Sequence, residues 1–103
     1  MTSVNLGKQH PATYKNLGAL GAQADTAVQE AGLDPLLAEL VKIRVSQLNG
    51  CAFCLRMHTR DALAKGESTD RLAVLAAWWE SQCFTPQERA AVALAEQVTE
   101  LTV

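Results

Sequence analysis

The feature that most constrains this chain of 103 residues is its punctuation. Gly32 followed by Asp34-Pro35, Asn49-Gly50, Gly66 followed by Ser68, and Thr85-Pro86 all carry helix stop or start signals. Glycine and asparagine readily take the left-handed conformation that closes a helix, and proline is tolerated at the first helical position because its missing N–H would be unpaired there anyway. Between these breaks apolar residues recur at steps of three and four, and no segment alternates as a half-buried strand would. The expectation is an all-α fold: a helical bundle of about five helices in a single domain over 1–103.

The first helix should run from Pro11 to about Ala31, with Tyr14, Leu17, Leu20, Ala24 and Val28 at helical spacing. Asp34 caps the second, whose main apolar stripe is Leu37, Val41, Val45 and Leu48, widened by Leu36, Leu40 and Ile43; so wide a stripe predicts a largely buried helix. The third opens at Cys51 and runs to Gly66. A fourth, capped by Ser68 or Thr69, should carry Leu72, Val74, Leu75, Trp78 and Trp79. Thr85-Pro86-Gln87-Glu88 is a capping box and launches Val92, Ala95, Val98 and Leu101.

Composition narrows function by exclusion. A net charge of −2, with basic residues scattered, leaves no electrostatic footprint for nucleic acid or an anionic membrane. The longest apolar runs are far too short to span a bilayer, and the N-terminal residues lack the order of a signal peptide, so a cytoplasmic protein is the default expectation. Three cysteines without a secretion signal argue against a structural disulfide framework and for reactive or metal-binding thiols in the close pair. Cys83 stands apart and reads as a small buried hydrophobe.

The close pair sits in Cys51-Ala-Phe-Cys54-Leu-Arg-Met-His58. At about 100° per residue, steps of three and four put Cys51, Cys54 and His58 on one face of the third helix. Both thiols lie in its first turn, where unpaired N–H groups and the positive end of the helix dipole favour thiolate. Haem attachment needs histidine directly after the second cysteine, and Leu55 stands there. Structural zinc needs four ligands; this cluster supplies three, and Cys83, Glu39 or His10 would have to complete it. A thioredoxin-type motif belongs beside a βαβ pattern, and no strands are visible. Thiol redox chemistry on a helical scaffold is what remains.

The ordinary readings of these residues stay beside that one. His58 on its own is equally a core or exposed histidine, and Glu39 a solvated position or a partner of Lys42 or Arg44. Trp78 and Trp79 read as core or subunit-contact residues rather than a substrate platform. Lys42, Arg44, Arg56 and Arg60 are charges near the motif that either hold a thiolate ionised or face water.

The span Glu39-Leu-Val-Lys-Ile-Arg-Val-Ser-Gln-Leu-Asn-Gly-Cys51-Ala-Phe-Cys54-Leu-Arg-Met-His58 resembles the signature of AhpD-like alkylhydroperoxidases, within the carboxymuconolactone decarboxylase superfamily. Trp79 to Glu96 carries a second segment similar to that family, so the likeness covers roughly Leu33 to Glu100. The resemblance implies a thiol-dependent peroxidase. In it Cys54 attacks the peroxide, Cys51 supplies a proton and resolves the sulfenic acid as a disulfide, and His58, oriented by Glu39, relays protons. It implies a small hydroperoxide as substrate, an external dithiol or protein reductant, no cofactor or metal, and a homo-oligomer, trimer or hexamer.

Two departures stand out. Phe53 occupies a place between the cysteines where peroxidase relatives can carry a second histidine, and such relatives commonly continue into further helices beyond the point matched by Val103. On that comparison the apolar faces around Val92, Leu94, Val98 and Leu101 need a partner. The alternatives left open are a non-enzymatic thiol or zinc-binding module and a lactone decarboxylase-type enzyme, though the decarboxylase branch generally lacks the dithiol.

Overall fold

In the computed structural model, the described residues are 11–101, with only the backbone described for 13–21, 24 and 101. His10 and the side chains of Tyr14, Leu17, Leu20, Ala24 and Leu101 lie outside what is described. Helices α1 (Pro11–Glu30), α2 (Pro35–Asn49), α3 (Ala52–Ala64), α4 (Thr69–Val74) and α5 (Pro86–Leu101) follow one another, with a 3-10 helix, Leu75–Glu80, between α4 and α5. No strand occurs among the described residues, as the periodicity predicts.

Helix α2 is the hub: it packs against α1, α3, α5 and the 3-10 helix. Asp34 caps it by accepting the Leu36 N–H at 2.9 Å, with Pro35 at the first position. It ends in a Schellman closure, in which Gly50 donates to the Gln47 carbonyl and Cys51 to that of Ser46 at 3.1 Å. That closure needs Gly50 at φ +64°, the left-handed region that side chains disfavour.

The core consists of Leu40, Ile43, Ala62, Leu75, Phe84 and Val92, with Leu55, Leu72 and Trp78 packed on it. The buried side of α2 is therefore Leu37, Ala38, Glu39, Leu40, Ile43 and Ser46. Leu40 and Ile43, the expected margin of the stripe, are its centre, while Val41 and Val45 are half-buried and Leu48 is exposed. With apolar residues spread round most of the helix, its neighbours choose the face. On α5 the buried line is Val92, Ala95 and Thr99, and Val98, expected on the inner face, is exposed.

The expected fourth helix is broken. It is α-helical only to Val74, then tightens to 3-10 geometry, with Ala77 at φ −123° and ψ 37° interrupting it. In a 3-10 turn side chains three apart eclipse one another, which brings Leu75 and Trp78 together onto the core. Trp79 is left exposed, edge-on to Trp78 at 6.1 Å. Arg89 of α5 holds the turn's end by donating to the carbonyls of Ser81, at 2.8 Å, Trp78 and Trp79 while stacking on the Trp78 ring.

The capping box forms as read. Thr85 N–H donates to Glu88 Oε1 at 2.8 Å and Glu88 N–H to Thr85 Oγ1 at 3.1 Å. Cys83, expected to be buried, is exposed, because the preceding turn seals its inner side with Phe84 instead.

Candidate functional site

Helix α3 begins where α2 stops, with no spare residue between them. Cys51 closes the α2 Schellman motif through its N–H and is also the N-cap of α3, its Sγ accepting the Cys54 N–H at 3.2 Å. A sulfur at an N-cap faces unpaired N–H groups and the positive end of the helix dipole, which is where a thiolate is stabilised. Cys51 and Cys54 are joined in a disulfide, their Cα atoms 5.3 Å apart. Both are half-buried, whereas Phe53 between them is 64% exposed.

His58 lies one turn beyond Cys54 and faces back onto α2, where Glu39 is held. Glu39 is buried to 1% exposure, so it is not a solvated position; the expected pairing with Lys42 does form, at 3.5 Å, and that with Arg44 does not. Its Oε2 stands 4.0 Å from His58 Nδ1, and both atoms are buried without a hydrogen-bond partner. Burial pushes the imidazole below its ordinary value of 6.5, and the Lys42 ammonium adds to that; Glu39, Asp61 and Asp25 pull the other way without reversing it. A neutral imidazole beside a dithiol is a proton acceptor.

The other carboxylate oxygen, Oε1, is taken up by cations. Lys65 Nζ donates to it at 2.7 Å from the C-terminal end of α3, and Lys42 Nζ lies 3.5 Å away. Lys42 also donates to both carboxylate oxygens of Asp25 on α1 at 2.7 Å. Arg44 is engaged elsewhere, with Glu96 at 2.8 Å and Gln47 at 2.9 Å, and Glu96 also accepts from the Trp78 indole at 2.7 Å. Burial alone would raise the Glu96 carboxyl, but the Trp78 and Arg44 hydrogen bonds outweigh it and hold the group below its ordinary value. Lys42 and Arg44 are thus matched to carboxylates rather than to the thiols. Arg56 and Arg60 are exposed and have no ion pair among the described residues.

Cys51 and Cys54 stand at the head of α3 and His58 one turn further along it, while Glu39 comes from the N-terminal half of α2, which packs against α3; the sequence reading missed Lys65, Asp25 and Asp61. Lys65 had a signal: it follows His58 by seven residues, two turns along the same face. Among the described residues, Glu39, His58 and Asp61 each bring one ligand-type atom within 4.8 Å of the others, a set that could hold a cation. The two ammonium groups already on Glu39 oppose one. No helix among the described residues is long and apolar enough to cross a membrane.

Residues 11–97 match the carboxymuconolactone decarboxylase family. The chain is 46% identical over 71 residues to the uncharacterized protein YdfG of Bacillus subtilis, and 36% over 64 residues to the uncharacterized protein YnjA of Escherichia coli. Those matches take in 69% and 62% of this chain but 48% and 35% of the relatives, so the chain spans half or less of their length. Among solved structures it resembles a protein of unknown function from Agrobacterium tumefaciens, provisionally named as an AhpD antioxidant defence protein. The two agree with a TM-score of 0.71 and 34% identity, over 99% of this chain and 67% of that one. With this helical architecture, a CxxC at the head of α3 and a match over most of its length, the chain belongs to the AhpD-like group of the carboxymuconolactone decarboxylase superfamily.

Proposed function

We propose that this chain is a thiol peroxidase acting on small alkyl hydroperoxides. The observation that carries the reading is the buried, unpartnered Glu39 Oε2 and His58 Nδ1 facing each other at 4.0 Å, one turn from a CxxC that closes into a disulfide. A polar pair left unmatched in an interior costs stability and is best explained by a task.

In the cycle, His58 takes the Cys54 thiol proton, and the resulting thiolate attacks one peroxide oxygen. The O–O bond breaks, the alkoxide leaves with the Cys51 thiol proton as an alcohol, and Cys54 becomes a sulfenic acid. The Cys51 thiolate then attacks the Cys54 sulfur. Hydroxide departs with the proton held by His58, giving water and the Cys51–Cys54 disulfide. An external dithiol restores both thiols by exchange and is itself oxidised to a disulfide. Glu39 orients the imidazole and stabilises it while it carries the proton. Phe53, where a second histidine stands in some relatives, leaves Glu39 and His58 as the whole relay.

The test is titration of the reduced protein with alkyl hydroperoxide, followed by mass mapping of the cysteines. One equivalent should yield one Cys51–Cys54 bond; C51S should accumulate sulfenic acid on Cys54, and C54S should consume no peroxide. Peroxide consumption unaffected by loss of both thiols would sink the reading, and lactone turnover that tolerates the same loss would favour the decarboxylase-type alternative.

A second reading, a metal-binding module, draws on the Glu39, His58 and Asp61 cluster. It predicts about one equivalent of zinc retained through purification and little peroxide consumption. Self-association belongs to the same proposal, since Leu94 and Val98 leave an uncovered apolar line on α5.

A further inference from the structure

We infer that Lys65 is a positioning residue for the proton relay: by fixing Oε1 of Glu39 it leaves Oε2 aimed at His58. The inference rests on the peroxidase reading and extends it to a residue outside the motif that carries the resemblance.

Glu39 is buried where a carboxylate has two choices. Either oxygen could turn toward His58, and the group could rotate between them; a relay needs one oxygen held for the imidazole. The ammonium of Lys65 sits 2.7 Å from Oε1, and Lys42 approaches the same oxygen at 3.5 Å while its two short contacts go to Asp25. Lys65 is therefore the only described cation that hydrogen-bonds Glu39, at 2.7 Å against the 3.5 Å of Lys42. A charge-assisted bond of that kind is both short and directional. Oε2 is left buried without a hydrogen-bond partner, 4.0 Å from His58 Nδ1.

The device joins three helices. Asp25 on α1 fixes Lys42, Lys42 and Lys65 flank Glu39 on α2, and His58 lies on α3, which Lys65 follows as its C-cap. The charged groups facing His58 are Lys42 and Glu39 from α2, Asp61 from its own helix and Asp25 from α1. Lys65 acts on the imidazole through Glu39. With the Lys65 charge gone, the carboxylate is less neutralised and free to swing toward the ring, so imidazolium is favoured and less neutral base is present at pH 7.

Lys65 has a 42% exposed side chain at the end of α3, where a substitution disturbs little packing. The experiment compares the reduced full chain with K65M, K65R and K65Q, with R60M as a control that removes an unpaired charge from the same helix. Two quantities are read: the rate of peroxide-driven disulfide formation against pH, and the His58 titration midpoint by NMR. K65M and K65Q should be about tenfold slower near pH 7, a part of the roughly 10²–10⁴-fold that a positioned proton acceptor contributes. Their His58 midpoint should rise, K65R should recover most of both, and R60M should match the parent chain.

Parent-like rates and an unmoved His58 midpoint in K65M and K65Q overturn the inference. So does a slowed K65M whose His58 midpoint stays put, since a merely structural role would give that result. If the parent chain itself fails to consume peroxide, the peroxidase reading falls alone, and the His58 midpoint still decides whether Lys65 governs the Glu39–His58 pair.

Discussion

Glu39 shows how many contacts one buried carboxylate can gather, with Lys65 and Lys42 on one oxygen and His58 near the other. Changing it to glutamine keeps the shape and removes the charge, so the upward pull on His58 disappears and its titration midpoint should fall further below 6.5. Disulfide formation by peroxide should slow by about a hundredfold, within the range for loss of a proton-relay partner; stopped-flow kinetics and NMR titration check the two halves. Cys83 is the contrast: exposed and isolated, it should remain a free thiol after one equivalent of peroxide, and C83S should be kinetically silent. The dithiol, His58 and Glu39 were all legible as residues because their spacing is local or their pattern familiar. Among the partners of Glu39, Lys42 was legible too and Lys65 was not. Lys65 lies 26 positions away and Asp25 reaches Lys42 from another helix, and such pairings exist only once the helices have docked.

Among the elements, the caps were the easiest to read. Asp34, Ser68 and the Thr85–Glu88 box all make the bonds their residue types suggest. T85A should cost about 0.5–2 kcal/mol of stability in a urea titration, the usual loss for an N-cap, since Glu88 then keeps only its bonds to the Thr85 N–H and to Arg71. Gly50 is a cleaner case, because a Cβ there meets nothing within 4 Å and the cost of alanine is purely that of the left-handed backbone. G50A should lose roughly 1–2 kcal/mol with an unchanged denaturant slope. Less legible were the buried face of α2, because apolar residues are spread round most of that helix, and the 3-10 turn. That turn arises from Trp78 reaching Glu96 and from Arg89 holding its last carbonyls, contacts between segments that sequence periodicity does not encode.

For the molecule as a whole, pH and association are the useful levers. His58 titrates below its ordinary value in the folded chain, so the unfolded chain binds more protons beneath about pH 6.5; the stability this group contributes is intact above that pH and declines as pH falls. Glu88 and Glu96 are likewise held below 4.5, Glu88 because bonds from Arg71 and Thr85 outweigh its burial. Their contribution is present above about pH 4.5 and is lost on further acidification. Melting temperatures should therefore fall in two stages, a shallow one below about 6.5 and a steeper one below about 4.5, the first absent in H58N. Light scattering should show an assembly larger than one chain, and charges placed at Leu94 and Val98 should shift it toward the monomer. Cys51 belongs to two helices at once, ending one and beginning the next. That junction has no slack: a single residue inserted after Gly50 would part the N–H that closes α2 from the sulfur that opens α3 and shift the imidazole relative to Glu39. Tags, linkers and permuted termini are thus excluded from this one corner, however accessible its surface.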